Sequence, residues 1–254
     1  MSTSTLPAMP RRFFPILPVL AVLLLWQLAT GTGLVPANLL PSPVAILQRL
    51  AQQLHDGDFL FNIGQTVLRL VLGFAISLVL GVLLGLAMSE GAEPLLGPLV
   101  RLLAPVPKIA LYPIMVLLLG YGHASKVALV VADVTFPILL ATFHGARAVQ
   151  PKLLWSARAA GAGAKASIHT VVLPSALPSI LTGCRIGLVI ASINVFLAEM
   201  ISSTDGLGHL LVVAARAYQV VDMFVPLVLI SALGLLLSSL LRWVSGRIPA
   251  ASMA

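Results

Sequence analysis

GQTVLRLVLGFAISLVLGVLLGLAM, residues 64–88, is 25 residues long and holds a single charged side chain, Arg69. A bilayer core of about 30 Å takes roughly 20 apolar residues of helix, so this stretch can cross one. Working outward from it, five more stretches qualify, at about 16–33, 100–119, 125–144, 178–200 and 223–244. Long solid apolar runs exclude a closed outer-membrane barrel, whose strands would alternate. Hydrophobic residues make up 59% of the 254 and charged residues only 9%. A soluble domain carries about 25% charged residues, so the charges here are too few to coat a water-facing surface. That excludes an ordinary soluble enzyme, a disordered chain and a nucleic-acid binder. The net charge of +7 is spread along the chain, not gathered into a nucleic-acid footprint. The lone Cys184 excludes a disulfide framework and a cysteine zinc site. Five scattered histidines show no metal-ligand spacing. The expectation is an all-α polytopic membrane protein, with six transmembrane helices in one domain spanning 1–254.

The first apolar run follows Arg11 and Arg12 and extends from Phe13 to Ala29. It is long for a cleavable signal core and no clear cleavage site follows it, so a retained first helix is expected. Residues 1–15 then form a short cytoplasmic tail. With the N-terminus inside, ten basic residues fall on inner segments and inner helix ends, and only Arg49, Lys126 and Arg216 fall outside. The positive-inside bias therefore puts both termini in the cytoplasm.

One inner segment is the most informative. Residues 151–178 read PKLLWSARAAGAGAKASIHTVVLPSALP. Ala157, Arg158, Ala159 and Ala160 favour helix, and Gly161 supplies the left-handed turn that ends one. Residues 164–172 are expected to form a second helix that stops before Pro174. Helix, glycine, helix makes a compact knob that can fit a groove on a partner. A membrane-surface helix is the competing reading, since Lys152, Arg158 and Lys165 suit anionic headgroups. GAGAKAS at 161–167 is not a phosphate loop, because Lys165 lies between two alanines and no strand precedes it. The chain is therefore not expected to bind ATP, and any ATP would be held by another subunit.

This segment resembles the E-A-A-x3-G-x9-I-x-L-P motif of ABC importer permeases. Gly161 fixes the register, Ala157 takes the second alanine, Val171 the isoleucine, and Leu173 and Pro174 close it. The motif glutamate is replaced by Trp155 and the first alanine by Ser156. The resemblance extends to LPSP at 40–43, RLVLGF at 69–74, PVPKIALYPIMVLLLGYG at 105–122, FPILLATFHGARAVQPKL at 136–153 and AEMISSTDGLGHLL at 198–211. Together these resemble the nitrate/sulfonate/taurine group. The resemblance implies the type I importer permease fold, with residues 151–174 as the coupling loop between the fourth and fifth spans. It implies that Trp155, Ala157, Arg158, Ala160, Gly161, Val171, Leu173 and Pro174 couple to an ATP-binding subunit. It further implies two such subunits, a second copy of this chain, a periplasmic binding protein and a bacterial inner-membrane location. The implied cargo is a small polar or anionic solute, of the sulfonate, taurine or nitrate kind.

Four polar residues inside the spans are candidates for lining the pathway. Asp133 is costly at its depth, so it lines a path or pairs with a cation, with Arg69 and Lys126 as the candidate partners. Asn194 hydrogen-bonds across helices or lines the path. Glu199 lies near the outer end of its span; the resemblance implies a place near an external gate and the binding-protein contact, and a solvated carboxylate is the alternative. Arg185 snorkels inward or attracts an anion. Gly81 and Gly85, preceded by Gly73 and Ser77 at the same spacing, are read as an intrachain packing seam. Pro105, Pro107 and Pro113 should kink or break the third span. The rival to an ATP-driven importer is a stand-alone ion-coupled transporter or channel. That rival would need more deep ionisable groups than Asp133. A membrane enzyme would need an acid–base or nucleophile cluster, and none is visible.

Overall fold

The computed structural model describes residues 16–36 and 38–247. The expected tail 1–15, with Arg11 and Arg12, lies outside the described residues. All regular structure among the described residues is helical. The first elements are α1 (Ile16–Gly31), α2 (Pro43–Gln53) and α3 (Gly57–Ala87). A π-helical turn, Met88–Ala92, leads into α4 (Glu93–Leu103). A 3-10 turn, Lys108–Leu111, precedes α5 (Tyr112–Leu119), and α6 (His123–Arg147) follows. Next come α7 (Pro151–Ala159), α8 (Ala164–Ser167) and a second π-helical turn, Ile168–Val172. The last described elements are α9 (Leu173–Ile201), α10 (Leu207–Arg216) and α11 (Val220–Ser245).

The centre is a three-helix stack of α3, α6 and α9, with Leu70, Val130, Val134, Ile138, Ala191 and Val195 in its core. Small residues set how closely these helices approach. A Cβ on Gly73 would lie 2.6 Å from Val130 Cγ1, and one on Gly81 would lie 2.7 Å from Ile138 Cβ. A Cβ on Gly85 would meet the Leu139 carbonyl at 2.6 Å. The four-residue spacing of α3 is therefore a seam within the chain, as its reading anticipated. On the other side of α6, Gly145 and Gly183 play the same part against Ser179 and Ala141.

Among the described residues, four helical stretches are long and apolar enough to cross a membrane: Gly57–Leu103, His123–Arg147, Ala164–Ile201 and Val220–Ser245. The other two expected spans are shorter. α1 has 16 residues, and the stretch expected as one helix over 100–119 is broken after Leu103. The break has the anticipated cause. Pro105 and Pro107 offer no N–H, so the i to i−4 ladder cannot continue through them. Pro113 sits in the first turn of α5, where a missing N–H costs nothing.

Two expectations are corrected. The second helix of the 151–178 segment does not stop before Pro174. It runs through the π-helical turn straight into α9, with Leu173 N–H donating to Ile168 O. Pro174, which has no N–H, is passed because the π-helical turn directly ahead of it widens the helix there. α10 was not anticipated as a helix. Its signal is short but present, with Leu207, Leu210, Leu211 and Ala214 falling on one face. On the same end of the bundle, α2 is fastened to α11. Arg49 Nη2 donates to Asp222 Oδ2 at 3.1 Å and Gln53 Nε2 to Asp222 Oδ1 at 2.9 Å. The hydrogen bond from Arg49 to Asp222 raises the guanidinium pKa further.

Candidate functional site

Polar chemistry concentrates at three levels of the bundle. The first level is the α10 end. Arg69 of α3 and Glu199 of α9 are each only 1% exposed. Arg69 Nη1 donates to Glu199 Oε1 at 2.6 Å, and Nη2 pairs with Asp205 Oδ1. Arg69 Nε donates to His123 Nδ1 at 3.2 Å. Glu199 Oε2 also accepts from Thr66 Oγ1 at 2.9 Å and from the Gly208 N–H at 3.1 Å. Thr66 in turn accepts from the Leu207 N–H at 2.9 Å. Gly206 has φ +100°, and a Cβ there would overlap the Glu199 carboxylate. A Cβ on Gly208 would overlap the Phe196 carbonyl. The GLG sequence therefore lets the Gly208 N–H reach a buried carboxylate that side chains at 206 and 208 would crowd out.

This corrects one reading of Glu199: it is not solvated, being only 1% exposed. It is the acceptor that ties α9, α10 and α3 together. Arg69 is consumed by that role and does not reach Asp133. Lys126, the other proposed partner of Asp133, is buried and donates instead to the carbonyls of Tyr121 and Gly122, the latter at 3.1 Å.

The second level is mid-bundle. Asp133 is the eleventh residue of the 25-residue α6. Its Oδ2 accepts from Asn194 Nδ2 at 2.8 Å, so two of the candidate pathway residues meet directly. The cation opposite is Lys108, whose Nζ stands 3.7 Å from Asp133 Oδ1. Lys108 also donates to the Ala104 carbonyl at 2.7 Å and lies over the Phe136 ring, 4.5 Å from its centroid. The positive-inside reading places Lys108 among its ten inner basic residues. Its placement corrects that count: it sits at the proline break inside the third span. The signal was present, because Lys108 falls well within the apolar stretch 100–119 and directly follows Pro107. Arg185 does not join this group. It lies exposed on α9 and has no acidic partner within 4 Å among the described residues.

The third level is the opposite end, where α7 and α8 form the anticipated knob. Gly161 has φ +87°. Its N–H donates to Arg158 O at 2.9 Å, and the Ala162 N–H donates to Ala157 O at 3.0 Å. These two bonds are the Schellman closure, which satisfies the last carbonyls of α7. Leu154 packs on the core of the α3–α6–α9 stack, so it fixes which face of α7 turns inward. Trp155 turns outward and is 65% exposed. Lys152 and Arg158, three residues to either side, share its exposed face. Ala160 and Gly161 are exposed, while Ala157, Val171, Leu173 and Pro174 are half-buried. No acidic residue lies between Asp133 and Glu199, so the knob is wholly cationic.

A helical bundle with apolar membrane-length helices, a polar cluster at mid-depth and a capped knob at one end defines a polytopic membrane transport protein. Residues 77–249 match the family described as "Binding-protein-dependent transport system inner membrane component". The chain is 31% identical over 223 residues to an aliphatic sulfonates transport permease protein, SsuC, of Bacillus subtilis (strain 168), covering 87% of this chain and 81% of that one. It is 32% identical over 199 residues to the taurine transport system permease protein TauC of Escherichia coli (strain K12), covering 75% and 72%. Its fold is similar to a chain of the MetNI methionine ABC transporter in an inward-facing conformation, with a TM-score of 0.63, 19% identity, and 77% and 96% of the two chains covered. The chain belongs to the binding-protein-dependent transport system inner membrane component family, and it is a permease component of an ABC importer.

Proposed function

We propose that this chain forms half of the membrane pathway of an ATP-driven importer for a small polar or anionic solute of the sulfonate, taurine or nitrate kind. Two copies enclose the path, and a periplasmic binding protein delivers the solute at the α10 end. Two separate ATP-binding subunits dock at the knob end, and the chain itself binds no ATP. Both termini lie in the cytoplasm, on the knob side. The relatives that carry sulfonate and taurine names support the solute class.

The observation that carries this reading is the knob of residues 151–167, closed at Gly161 and continuous with α9 through the π-helical turn. Because α8 runs into α9 without a loop, a push on the knob is transmitted along a helix that reaches Glu199. Closure of the ATPase pair would draw the two knobs together and tilt α9. ATP and the loaded binding protein must both favour the outward state for this to drive import. The face of α7 makes a specific demand on its partner. Trp155 in place of a glutamate, flanked by Lys152 and Arg158, fits an apolar pocket edged with carboxylates. Tryptophan is a common anchor at such interfaces.

Gentle affinity purification of the chain expressed from its native operon, with mass spectrometry of the eluate, tests the reading. An ATP-binding subunit should come through in roughly equal amount, since one is expected per knob. Gly161→Trp should abolish that association while the chain still inserts, because only a small residue suits the left-handed cap. Trp155→Ala should weaken association by about 2 kcal/mol, the scale of an interface anchor. Recovery of the chain alone, active in liposomes under an ion gradient, would replace the importer by a secondary transporter.

A further inference from the structure

We propose that Lys108, Asp133 and Asn194 form a mid-membrane binding site for a short zwitterion, a solute carrying one anionic and one cationic group. The proposal rests on the importer reading and names the solute class of its pathway.

The first ground is looseness. Two opposite charges kept only to cancel each other inside a bundle should close to contact and fill their remaining valences, as Arg69 and Glu199 do. Lys108 and Asp133 do neither. They stop 3.7 Å apart, and each has its short hydrogen bond elsewhere, to the Ala104 carbonyl and from the Asn194 amide. Asp133 Oδ1 accepts no hydrogen bond among the described residues. Pro137, four residues on, has no N–H to give to the Asp133 carbonyl, so a second oxygen at this point lacks its helical donor. The Asp133 side chain is 28% exposed, which opens the pair on that side, while Lys108 is only 7% exposed and is backed by the Phe136 ring.

The second ground is charge. The pair is neutral as a unit. A lone anion drawn to Lys108 would meet Asp133 beside it and leave the site with a net negative charge at mid-membrane depth, where charge is costly. A lone cation has the mirror problem. A zwitterion places its anionic end on the Lys108 ammonium and its cationic end on Asp133 Oδ1, and the site stays neutral throughout. Asn194 holds the other carboxylate oxygen, so Asp133 remains oriented while its Oδ1 is engaged. A carboxylate that is a liability to an anion pathway is an asset to a zwitterion pathway.

Thermal melting of the purified chain, with whatever subunits accompany it, reads binding directly and needs no binding protein. The probes are taurine against ethanesulfonate, and β-alanine against propionate, each pair differing by the amine. At least one zwitterion should raise the Tm, with an apparent affinity about tenfold or more above its de-aminated partner, because like-charge juxtaposition discriminates. Lys108→Met with Asp133→Asn replaces the pair by neutral groups of similar volume, so that variant should fold and show no shift. The proposal is overturned if the de-aminated acids bind as well as the zwitterions, if the shift survives in the double variant, or if neither zwitterion shifts the wild-type chain. Failure of the importer reading would show separately, as a wild-type chain that retains no ATP-binding subunit.

Discussion

Arg69 and Glu199 meet at 2.6 Å, and Thr66, His123, Asp205 and the Gly208 N–H fill the positions around them. Lys108 and Asp133 stand 3.7 Å apart with one carboxylate oxygen free of hydrogen bonds among the described residues. Both pairs join a basic residue to a carboxylate inside one helical bundle, yet they serve opposite ends. The first pair is buried beneath α10 and joins three helices. Its charges are desolvated, and desolvated charges are held only by good geometry and complete hydrogen bonding. The second pair sits at a helix break and is open on one side. An open valence inside a membrane protein is costly unless something else fills it part of the time. The comparison teaches that charge inside a span has no single meaning. Completeness of its hydrogen bonding separates a fastening from a site.

The largest effect should come from opening the closed pair. Glu199→Ala leaves Arg69 buried without its main acceptor and should cost about 3–5 kcal/mol, the scale for removing one partner of a buried pair. The measurement is the yield and melting temperature of the detergent-solubilised chain. A variant that melts like wild type would erase the distinction between the two pairs. Replacing both partners, as in Arg69→Met with Glu199→Met, should recover part of the loss, because no buried guanidinium is then left without its carboxylate and Asp205, which loses its cation, is part-exposed to water.

Gly206→Ala attacks the same pair without touching a charge. It forces a side chain into a left-handed backbone and against the Glu199 carboxylate, at about 1–3 kcal/mol. Gly31→Ala is the matching control, since nothing lies within 4 Å of a Cβ there. Equal melting of the two variants would show that the loop after α9 yields more easily than its packing implies.

The smallest effect on stability should be at the open pair. Asp133→Asn keeps an acceptor for Asn194 and loses only the loose 3.7 Å ion pair with Lys108, which keeps its bond to the Ala104 carbonyl, so stability should change by about 1 kcal/mol. Transport in reconstituted vesicles should fall far more than the melting temperature. A variant that transports normally but melts early would turn this pair into a second fastening and remove the contrast.

Parts of this were legible in residue order because their causes are local. The Gly161 cap was readable because a left-handed turn needs only glycine and its neighbours along one strand of chain. The break in the third span was readable from Pro105 and Pro107 for the same reason. The seam on α3 was readable from four-residue spacing. The π-helical turn before Pro174 was not, because a helix can pass such a proline only if the turn ahead of it widens, and spacing does not say whether it does. The inner placement of Lys108 fails because residue order does not say how far the break at Pro105 and Pro107 sets it from the inner end of the span.

By itself the sequence determined that the chain is a bundle of membrane helices, that a capped knob lies between two of them, and which face of α3 is narrow enough to be packed closely. Those properties follow from hydropathy, helical period and backbone chemistry, which act over a few turns. Only the tertiary structure decided that Arg69 belongs to Glu199, 130 residues away, and that Asp133 faces Lys108 instead of Arg69 or Lys126. Helical period fixes the depth and face of a charge on its own helix. The rotation of one helix against another, set here by Gly73, Gly81, Gly145 and Gly183, decides which charge it meets.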